Sequence, residues 1–252
     1  MKELRVLMGM PITVEVVDAS ATQSLLDSVF DYFQYVDNTF STYKEESEIS
    51  RLNRGELPLD DASENMKAIF ALAERTRLET DGYFDILNDG KYDPSGVVKG
   101  WAIGNAADIL RDGGVSDFYV EAGGDIQASG LNAEAQPWRV GIRNPFDPAQ
   151  IVKVLSLTDC AVATSGTYIR GPHIYNPRDP VDPLDEVVST TVIGADICDA
   201  DRFATAAFAM GRRGIFFIES LPGFEGYVID RYQRATLTTG FERYLLHDPV
   251  HR

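Results

Sequence analysis

The pattern of apolar and polar positions predicts four helices. Within residues 21–40, the apolar side chains of Leu25, Val29, Phe33 and Val36 recur every three or four positions, as on one face of an amphipathic helix. We predict the other three helices over residues 65–79, 97–111 and 200–210. The first of these three ends near Gly82, which can adopt the positive φ of a helix C-terminus.

Short apolar and β-branched runs predict strands, most of them in the second half of the chain. The strands follow one another directly and the helices are grouped, which favours an α+β fold over a doubly wound parallel sheet. Residues 41–51 are predicted to be an exposed loop, and residues 173–183 a proline-rich connection. The predicted strands cover residues 12–17, 118–121, 126–129, 138–142, 153–157, 160–164 and 187–193, with a hairpin formed by residues 226–230 and 235–238.

Length and composition indicate a globular protein with a sizeable core. The chain has 252 residues, 44% of them hydrophobic, so we expect residues 1–252 to form a single domain or two closely packed lobes. The formal net charge of −16 argues against sequence-independent binding to nucleic acid, because such binding depends on Lys and Arg neutralising phosphates. An anionic ligand would need local attraction from helix-start amides, a few basic side chains or a metal ion.

The first residues lack the apolar run of about 7–15 residues that a signal peptide requires. No segment approaches the ~20 consecutive apolar residues of a membrane-spanning helix. We therefore predict a cytoplasmic protein without membrane insertion. Cys160 and Cys198 have apolar neighbours and no CxxC motif, so we expect them to be buried free thiols.

The segment DPSGVVKG, residues 93–100, is a Gly/Pro turn that leads into a predicted helix. Such a turn exposes backbone N–H and carbonyl groups beside one acid, Asp93, and one base, Lys99. This combination suits a phosphate or metal site. In the alternative interpretation, Asp93 and Ser95 only cap the helix and Lys99 is solvated.

Two further segments carry polar groups that suit a ligand. In residues 121–125, EAGGD, paired glycines allow a ligand to approach the backbone closely, although Gly-Gly-Asp is also an ordinary hairpin turn. Asp201 and Thr205 lie four residues apart on one face of a predicted helix and offer the oxygen ligands that Mg²⁺ prefers. Alternatively, Asp201 interacts with the dipole at the helix N-terminus, and Thr205 bonds back to a carbonyl.

Two segments are less informative in isolation. The turn at Thr164-Ser165-Gly166 could bind an anion, although a loop boundary is the simpler interpretation. A lone histidine is more often structural than catalytic, but His173 lies between Pro172 and Pro177, which indicates a shaped loop and adds some weight to a functional role.

In chain order, these segments resemble the ApbE family of FAD:protein FMN transferases across nearly the whole sequence. The resemblance is carried by MGM at residues 8–10, FSTY at 40–43, SEISRLN at 47–53, TDGYFD at 80–85, DPSGVVKG at 93–100, AGGD at 122–125, WRVGIRNP at 138–145, ATSG at 163–166, HIYNP at 173–177 and ADRFATAAF at 200–208.

The resemblance implies a fold and a set of roles. The expected architecture is a two-lobed, tunnelling-fold-like α+β protein with mixed or antiparallel sheets, flanking helices and the ligand between the lobes. Asp93 and Lys99 would contact the flavin nucleotide, and Asp201 with His173 would be the catalytic candidates. Mg²⁺ would be held by the main-chain carbonyl of Gly96 and the side chains of Asp201 and Thr205. The FAD cleft would be lined or shaped by Met8, Tyr43, Ser47, Asp81, Gly82, Tyr83, Gly124, Asp125 and His173.

The sequence departs from the family pattern at three places. Met10 replaces the usual threonine of Met-Gly-Thr, and Asn176 replaces an aspartate, which weakens a catalytic role for a carboxylate there. The stretch from Asp85 to Asp93 is shorter than in many members, which suggests a compact subgroup. The absence of an export signal places the usual extracytoplasmic targets in doubt.

The implied reaction is phosphoryl transfer. A Thr or Ser hydroxyl of a target flavoprotein attacks the FMN phosphorus of FAD, AMP leaves, and Mg²⁺ neutralises charge on the phosphates. A base for the hydroxyl proton is also needed, and His173 or the metal-bound network is the candidate. Two other functions need nearly the same cleft: an FAD-binding or carrier protein, and an Mg²⁺-dependent FAD pyrophosphatase that uses water.

Overall fold

The computed structural model describes residues 1–166, 174–179, 181 and 183–246. Its strands are β1 (Lys2–Leu7), β2 (Met10–Val16), β3 (Leu87–Asn88), β4 (Lys91–Tyr92), β5 (Phe118–Ala122), β6 (Asp125–Ser129), β7 (Trp138–Asn144), β8 (Asp147–Leu157), β9 (Ala161–Gly166), β10 (Val187–Gly194), β11 (Glu225–Asp230) and β12 (Ala235–Leu237). Its α-helices are α1 (Gln23–Phe40), α2 (Glu48–Asn53), α3 (Glu64–Glu79), α4 (Ser95–Asp112), α5 (Ile197–Ala209) and α6 (Gly214–Ser220). Short 3₁₀ turns cover Leu59–Asp61, Gly211–Arg213 and Phe241–Tyr244.

Eight of these strands form one sheet in the order β1-β2-β5-β6-β9-β10-β11-β12. Strands β7 and β8 form a separate hairpin, as do the short strands β3 and β4. Every strand pairing in the described part of the chain is antiparallel. The helices are grouped beside this sheet, so the predicted α+β class is confirmed.

The main sheet separates two apolar clusters. Successive side chains of a strand point to opposite faces, and in β9 Ala161 and Ala163 pack in the larger cluster with the helices while Val162 packs in the smaller one. The smaller cluster lies under the β7–β8 hairpin and includes Trp138 and Phe241. A sheet with a core on each face explains why both alternating positions of its central strands are apolar.

Three predicted helices agree with α1, α3 and α4 to within two residues at each end. The fourth, α5, begins three residues before the predicted start at residue 200. It begins there because the Asp196 side chain accepts the N–H of Asp199 and caps the helix. This shift moves Asp201 from the first turn, where we predicted it, into the second.

The prediction of an exposed loop over residues 41–51 holds for residues 41–46 but is wrong from Ser47 onwards, where α2 begins. Ser47 caps α2 by accepting the N–H of Ser50, and the Ile49 side chain is fully buried in the main core. A short helix with a polar cap and few apolar residues has little periodicity to detect. Strand β1 and helix α6 were also missed.

Both cysteines are free, as predicted, but they are only half-buried. Burial, with the nearby carboxylates of Asp196 and Asp199, raises the pKa of Cys198 to about 12, so its thiol stays neutral. Within the described ranges, no helix has the length and apolar character needed to cross a lipid bilayer.

Candidate functional site

A cleft with about 1030 Å³ of empty space, open solvent included, lies where α4 and α5 meet the ends of β6 and β9. Seven of the sequence-predicted site residues line it: Tyr83, Asp93, Gly96, Lys99, Asp125, Asp201 and Thr205. These residues come from four separate segments of the chain, so the fold is what brings them together.

Glycines on one face of α4 allow α5 to approach. A Cβ atom at Gly100 would lie 2.7 Å from Cβ of Asp201 and 2.8 Å from the Ile197 carbonyl oxygen, and a Cβ at Gly96 would lie 3.4 Å from Cγ2 of Thr205. Gly104, one turn further on, faces Ile197 at 3.7 Å. A side chain at Gly100 would force the helices apart, so this glycine is needed to place Asp201 against α4.

Lys99 lies between two buried carboxylates. Its Nζ is 2.6 Å from Oδ1 of Asp201 and also contacts Oδ2 of Asp125. The Lys99 side chain is 16% exposed, and the two acids are 3% and 2% exposed. The alternative in which Lys99 is solvated is therefore wrong. Ion pairs this buried are stable only when further hydrogen bonds satisfy the remaining polar atoms.

Those further hydrogen bonds come from the main chain. Oδ2 of Asp201 accepts the N–H of Gly100 at 2.8 Å, and Oδ1 of Asp125 accepts the N–H of Thr164 at 2.9 Å. Each acid thus has one oxygen fixed by a backbone amide and the other directed at the Lys99 ammonium. The cluster ties α4, α5, β6 and β9 together at one wall of the cleft.

Thr205 lies one turn beyond Asp201 on the same wall. Its hydroxyl donates to the Asp201 carbonyl at 3.1 Å and lies 3.3 Å from the Ser165 hydroxyl. The predicted alternative is therefore right for Thr205, which bonds back to a carbonyl. It is wrong for Asp201, whose carboxylate contacts Lys99 and Gly100 instead of the first turn of its own helix.

Asp93 and Gly123 line the cleft and also have structural roles. Oδ1 of Asp93 accepts the N–H of Ser95 at 3.0 Å, the capping-type contact that the alternative interpretation expects. Gly123 and Gly124 both have positive φ, 61° and 100°, and form the two-residue turn of the β5–β6 hairpin. Gly123 lines the cleft, and the turn delivers Asp125 as the first residue of β6.

The residues predicted from the 80–85 motif form a second group at the outer end of the cleft. The Tyr83 ring lies between two guanidinium groups, with Arg178 at 5.0 Å and Arg213 at 5.5 Å from its centroid. Arg178 also donates to the Asp81 carbonyl at 3.2 Å and pairs with its carboxylate. Asp81 and Gly82 both have positive φ, which turns the chain sharply here.

The other predicted residues lie in different surroundings. Tyr43 is 96% exposed. The Ser47 side chain is buried and used within the fold, because it caps α2 and donates to the Ser41 carbonyl at 2.7 Å. Met8 adopts a positive φ of 54° in the β1–β2 turn, half-buried against the main core. His173 lies outside the described residues.

Several cleft residues were not predicted as site residues. Tyr175 lines the cleft and donates its hydroxyl to the Asp85 carbonyl at 2.6 Å. Burial, with the charges of Asp85 and Asp93, raises the pKa of this phenol, so it remains a neutral hydroxyl. Thr164 and Ser165, which we interpreted as a loop boundary, also line the cleft. The four-residue spacing of Gly96, Gly100 and Gly104 was the missed sequence signal for the α4–α5 contact.

A protein-family model described as the ApbE family matches residues 8–90 and 87–228. The chain belongs to the ApbE family. An FAD:protein FMN transferase of Vibrio cholerae (serotype O1, strain ATCC 39541) is 31% identical over 174 residues, which are 65% of this chain and 52% of that protein. One of Escherichia coli K12 is 24% identical over 277 residues, covering 85% of this chain and 79% of that protein. The chain thus spans about half the length of the Vibrio relative.

Solved structures of ApbE proteins share this fold. The flavin transferase ApbE of Vibrio cholerae superposes with a TM-score of 0.84 at 24% identity, covering 97% of this chain and 99% of that one. The ApbE protein of Thermotoga maritima superposes with a TM-score of 0.87 at 21% identity, covering 98% and 99%. The predicted ApbE-like α+β fold is confirmed.

Proposed function

We propose that the protein is an FAD:protein FMN transferase, which moves the FMN moiety of FAD to a Thr or Ser hydroxyl of a target flavoprotein and releases AMP in an Mg²⁺-dependent reaction. Membership of the ApbE family supports this, as does the similarity to FAD:protein FMN transferases of Vibrio cholerae and Escherichia coli. The observation that carries the proposal is the wall that Gly96, Lys99, Thr205 and the buried Asp201 form on one side of the cleft.

The residues at this wall fit a magnesium ion. Mg²⁺ prefers oxygen ligands, and it commonly uses one or two carboxylates, with water and substrate phosphates completing its shell. Asp201 would supply the carboxylate, Thr205 a hydroxyl and Gly96 a main-chain carbonyl. In the described part of the chain no three Asp, Glu, His or Cys side chains cluster as metal ligands, so such a site would be completed by substrate and water. When bound, the ion would neutralise negative charge on the phosphates.

The charge of the cleft is consistent with a need for added cations. Among the residues of the cleft that the structure describes, four are carboxylates, those of Asp85, Asp93, Asp125 and Asp201, and one is an ammonium, that of Lys99. An anionic dinucleotide would be repelled by this excess of negative charge. The arginines beside Tyr83 supply positive charge at the outer end, and a divalent cation would supply it at the wall.

The reaction forms one bond and breaks one. The acceptor hydroxyl oxygen bonds to the FMN phosphorus, the bond from that phosphorus to the bridging oxygen breaks, and AMP leaves with that oxygen. The hydroxyl proton passes to a base, for which His173 remains the candidate. The wall residues hold the phosphates in place while the open side of the cleft admits the acceptor chain, so orientation is the main contribution of this protein.

Purified protein incubated with FAD and Mg²⁺, with and without a candidate acceptor, tests the proposal. We expect AMP release together with an acceptor peptide heavier by FMN minus water, and loss of that adduct when the acceptor Thr is changed to Val. AMP and FMN release without an adduct would instead identify an FAD pyrophosphatase. Binding of FAD without cleavage would identify a carrier.

Ligand preference gives a separate test. Because the predicted contacts span a cleft long enough for both halves of the dinucleotide, we expect FAD to bind more tightly than FMN. A fluorescence titration of the flavin measures both affinities. Equal affinities would contradict the proposal that the cleft also binds the adenine half of FAD.

A further inference from the structure

The Lys99 ammonium has two carboxylate partners on different elements of the fold. Asp201 belongs to α5, and Asp125 is the first residue of β6. Both acids are almost fully buried, and each has its second oxygen fixed by a main-chain N–H. One lysine between two such acids leaves this cluster with one net negative charge.

One of these partners is also the carboxylate proposed to bind Mg²⁺. A divalent cation on Asp201 and an ammonium on the same carboxylate repel each other strongly in a poorly solvated wall. The Gly100 N–H on Oδ2 cannot move away, because it is part of the α4 backbone. The Lys99 side chain is flexible and can move. The ion pair between Lys99 and Asp201 must therefore break when a cation binds to Asp201.

We propose that Asp125 is a positioning residue that holds the Lys99 ammonium when a divalent cation binds to Asp201. This inference rests on the metal site of the proposed function. A buried ammonium without a partner is strongly disfavoured. Asp125 already contacts Lys99 Nζ and is fixed from behind by the Thr164 N–H. The ammonium therefore shifts towards Asp125 and stays paired, and the cation binds without leaving a buried charge alone.

This exchange, in which the cation replaces the Lys99 ammonium at Asp201, changes the net charge of the wall. Before the cation binds, one ammonium and two carboxylates give a net charge of −1. Afterwards, the two positive charges of the cation bring the same wall to +1. The wall thus changes from repelling to attracting a diphosphate, so the order of binding is cation first and dinucleotide second.

Lysine NMR tests the movement directly in the intact protein without FAD. Ammonium protons are visible when a buried ion pair slows their exchange, and the chain has only six lysines. The Lys99 signal is assigned by its absence in Lys99→Met. On addition of Mg²⁺ we expect this signal to shift and persist in the parent protein. In Asp125→Asn we expect Mg²⁺ to broaden it beyond detection. A signal that Mg²⁺ does not move, or that persists equally in Asp125→Asn, overturns the proposal.

Calorimetric Mg²⁺ affinities provide the second measurement. Asp125→Asn should raise the Kd about tenfold, because the displaced ammonium then lacks a partner, whereas Lys99→Met should lower it severalfold by removing the competitor. Asp108→Asn removes the same charge from the exposed face of α4, and Lys91→Met removes an exposed lysine; both controls should stay within about twofold. A Lys99→Met protein with the Kd of Lys91→Met overturns the proposal, even if Asp125→Asn fails to fold.

Failure of the inference and failure of the metal site are distinguishable. If the parent protein binds Mg²⁺ while the Lys99 signal stays fixed, the exchange is wrong and the metal site stands. If the parent protein binds no Mg²⁺ and its Lys99 signal stays fixed, the metal part of the proposed function is wrong, and the inference falls with it.

Discussion

The two ends of the cleft are built in different ways. The inner wall, which we define as Gly96, Lys99, Asp125, Asp201 and Thr205, is formed by residues on α4, α5 and β6, with their side chains paired to each other and to main-chain groups. The outer rim, which we define as Asp81, Gly82, Tyr83 and Arg178, lies on connecting segments. Its contacts are mostly between exposed side chains.

This difference separates two kinds of function. At the inner wall the atoms proposed to handle the phosphates also hold helices and strands together, so a substitution there should change stability and turnover at once. At the outer rim a side chain can be removed without disturbing a buried contact. A substitution there should change the affinity for FAD and little else.

Asp201→Asn should reduce Mg²⁺-dependent AMP release about 10²–10³-fold, because the anionic ligand is lost while the side-chain shape is kept. Unfolding in urea should show a loss of about 1–3 kcal/mol, since a hydrogen bond to a charged group is removed and Lys99 keeps Asp125. An exposed first-turn carboxylate would contribute only about 0.3–1 kcal/mol. Full Mg²⁺-dependent turnover in this variant would contradict the metal site.

Gly100→Ala should destabilise the protein by about 1–3 kcal/mol, since the new Cβ would lie 2.7 Å from Cβ of Asp201 and 2.8 Å from a carbonyl oxygen. Gly104→Ala is the matched control on the same helix. Its Cβ has ordinary contact distances, the nearest being 3.7 Å, so the higher helix propensity of alanine should leave stability unchanged or raise it by about 0.5–1 kcal/mol. Urea unfolding of both variants measures the difference. Equal stabilities would show that the α4–α5 spacing is not tight.

The family resemblance assigns Tyr43 to the FAD cleft, so Tyr43→Ala should raise the KM for FAD about tenfold and leave kcat and stability nearly unchanged. Stacking of a base on an aromatic ring contributes about 1–3 kcal/mol, and the exposed ring makes little contact with the fold. Steady-state kinetics with varied FAD measures this effect. Tyr232→Ala, which removes another exposed tyrosine, is the control. A fall in kcat instead of a rise in KM would place Tyr43 with the inner wall.

Ser47→Ala should cost about 0.5–2 kcal/mol of stability through loss of the α2 cap. The family resemblance predicts a role for Ser47 in the cleft, whereas its hydrogen bonds connect α2 to the Ser41 carbonyl. Thermal unfolding and an FAD titration separate the two roles. Loss of affinity without loss of stability would favour direct ligand contact.

Sequence reasoning succeeded where periodicity is local. The apolar spacing in residues 21–40 and the turn residues around the β11–β12 hairpin are readable within one element, so α1 and that hairpin were predicted closely. The start of α5 was misplaced because Asp196 acts as a cap three residues before the predicted helix. Helix α2 was missed because its stability comes from one cap and the burial of Ile49.

The residues of the inner wall could be predicted from the sequence, but the contacts between them could not. The motifs identified Lys99, Asp125 and Asp201 one by one, yet the pairing of a single lysine with both acids depends on how α4, α5 and β6 pack. That packing depends on the missing side chain at Gly100. A glycine in a helix usually lowers helix propensity, and its benefit here is visible only with the neighbouring helix in place.

The contact between Lys99 and Asp201 joins positions 102 residues apart. Contacts between such distant positions form late in folding, because the intervening chain must first be brought together. Until α5 docks, α4 carries a lysine without one of its buried partners and a glycine face without a neighbour. The cleft therefore becomes chemically competent only when tertiary assembly is complete, and partly folded chains cannot act on a nucleotide.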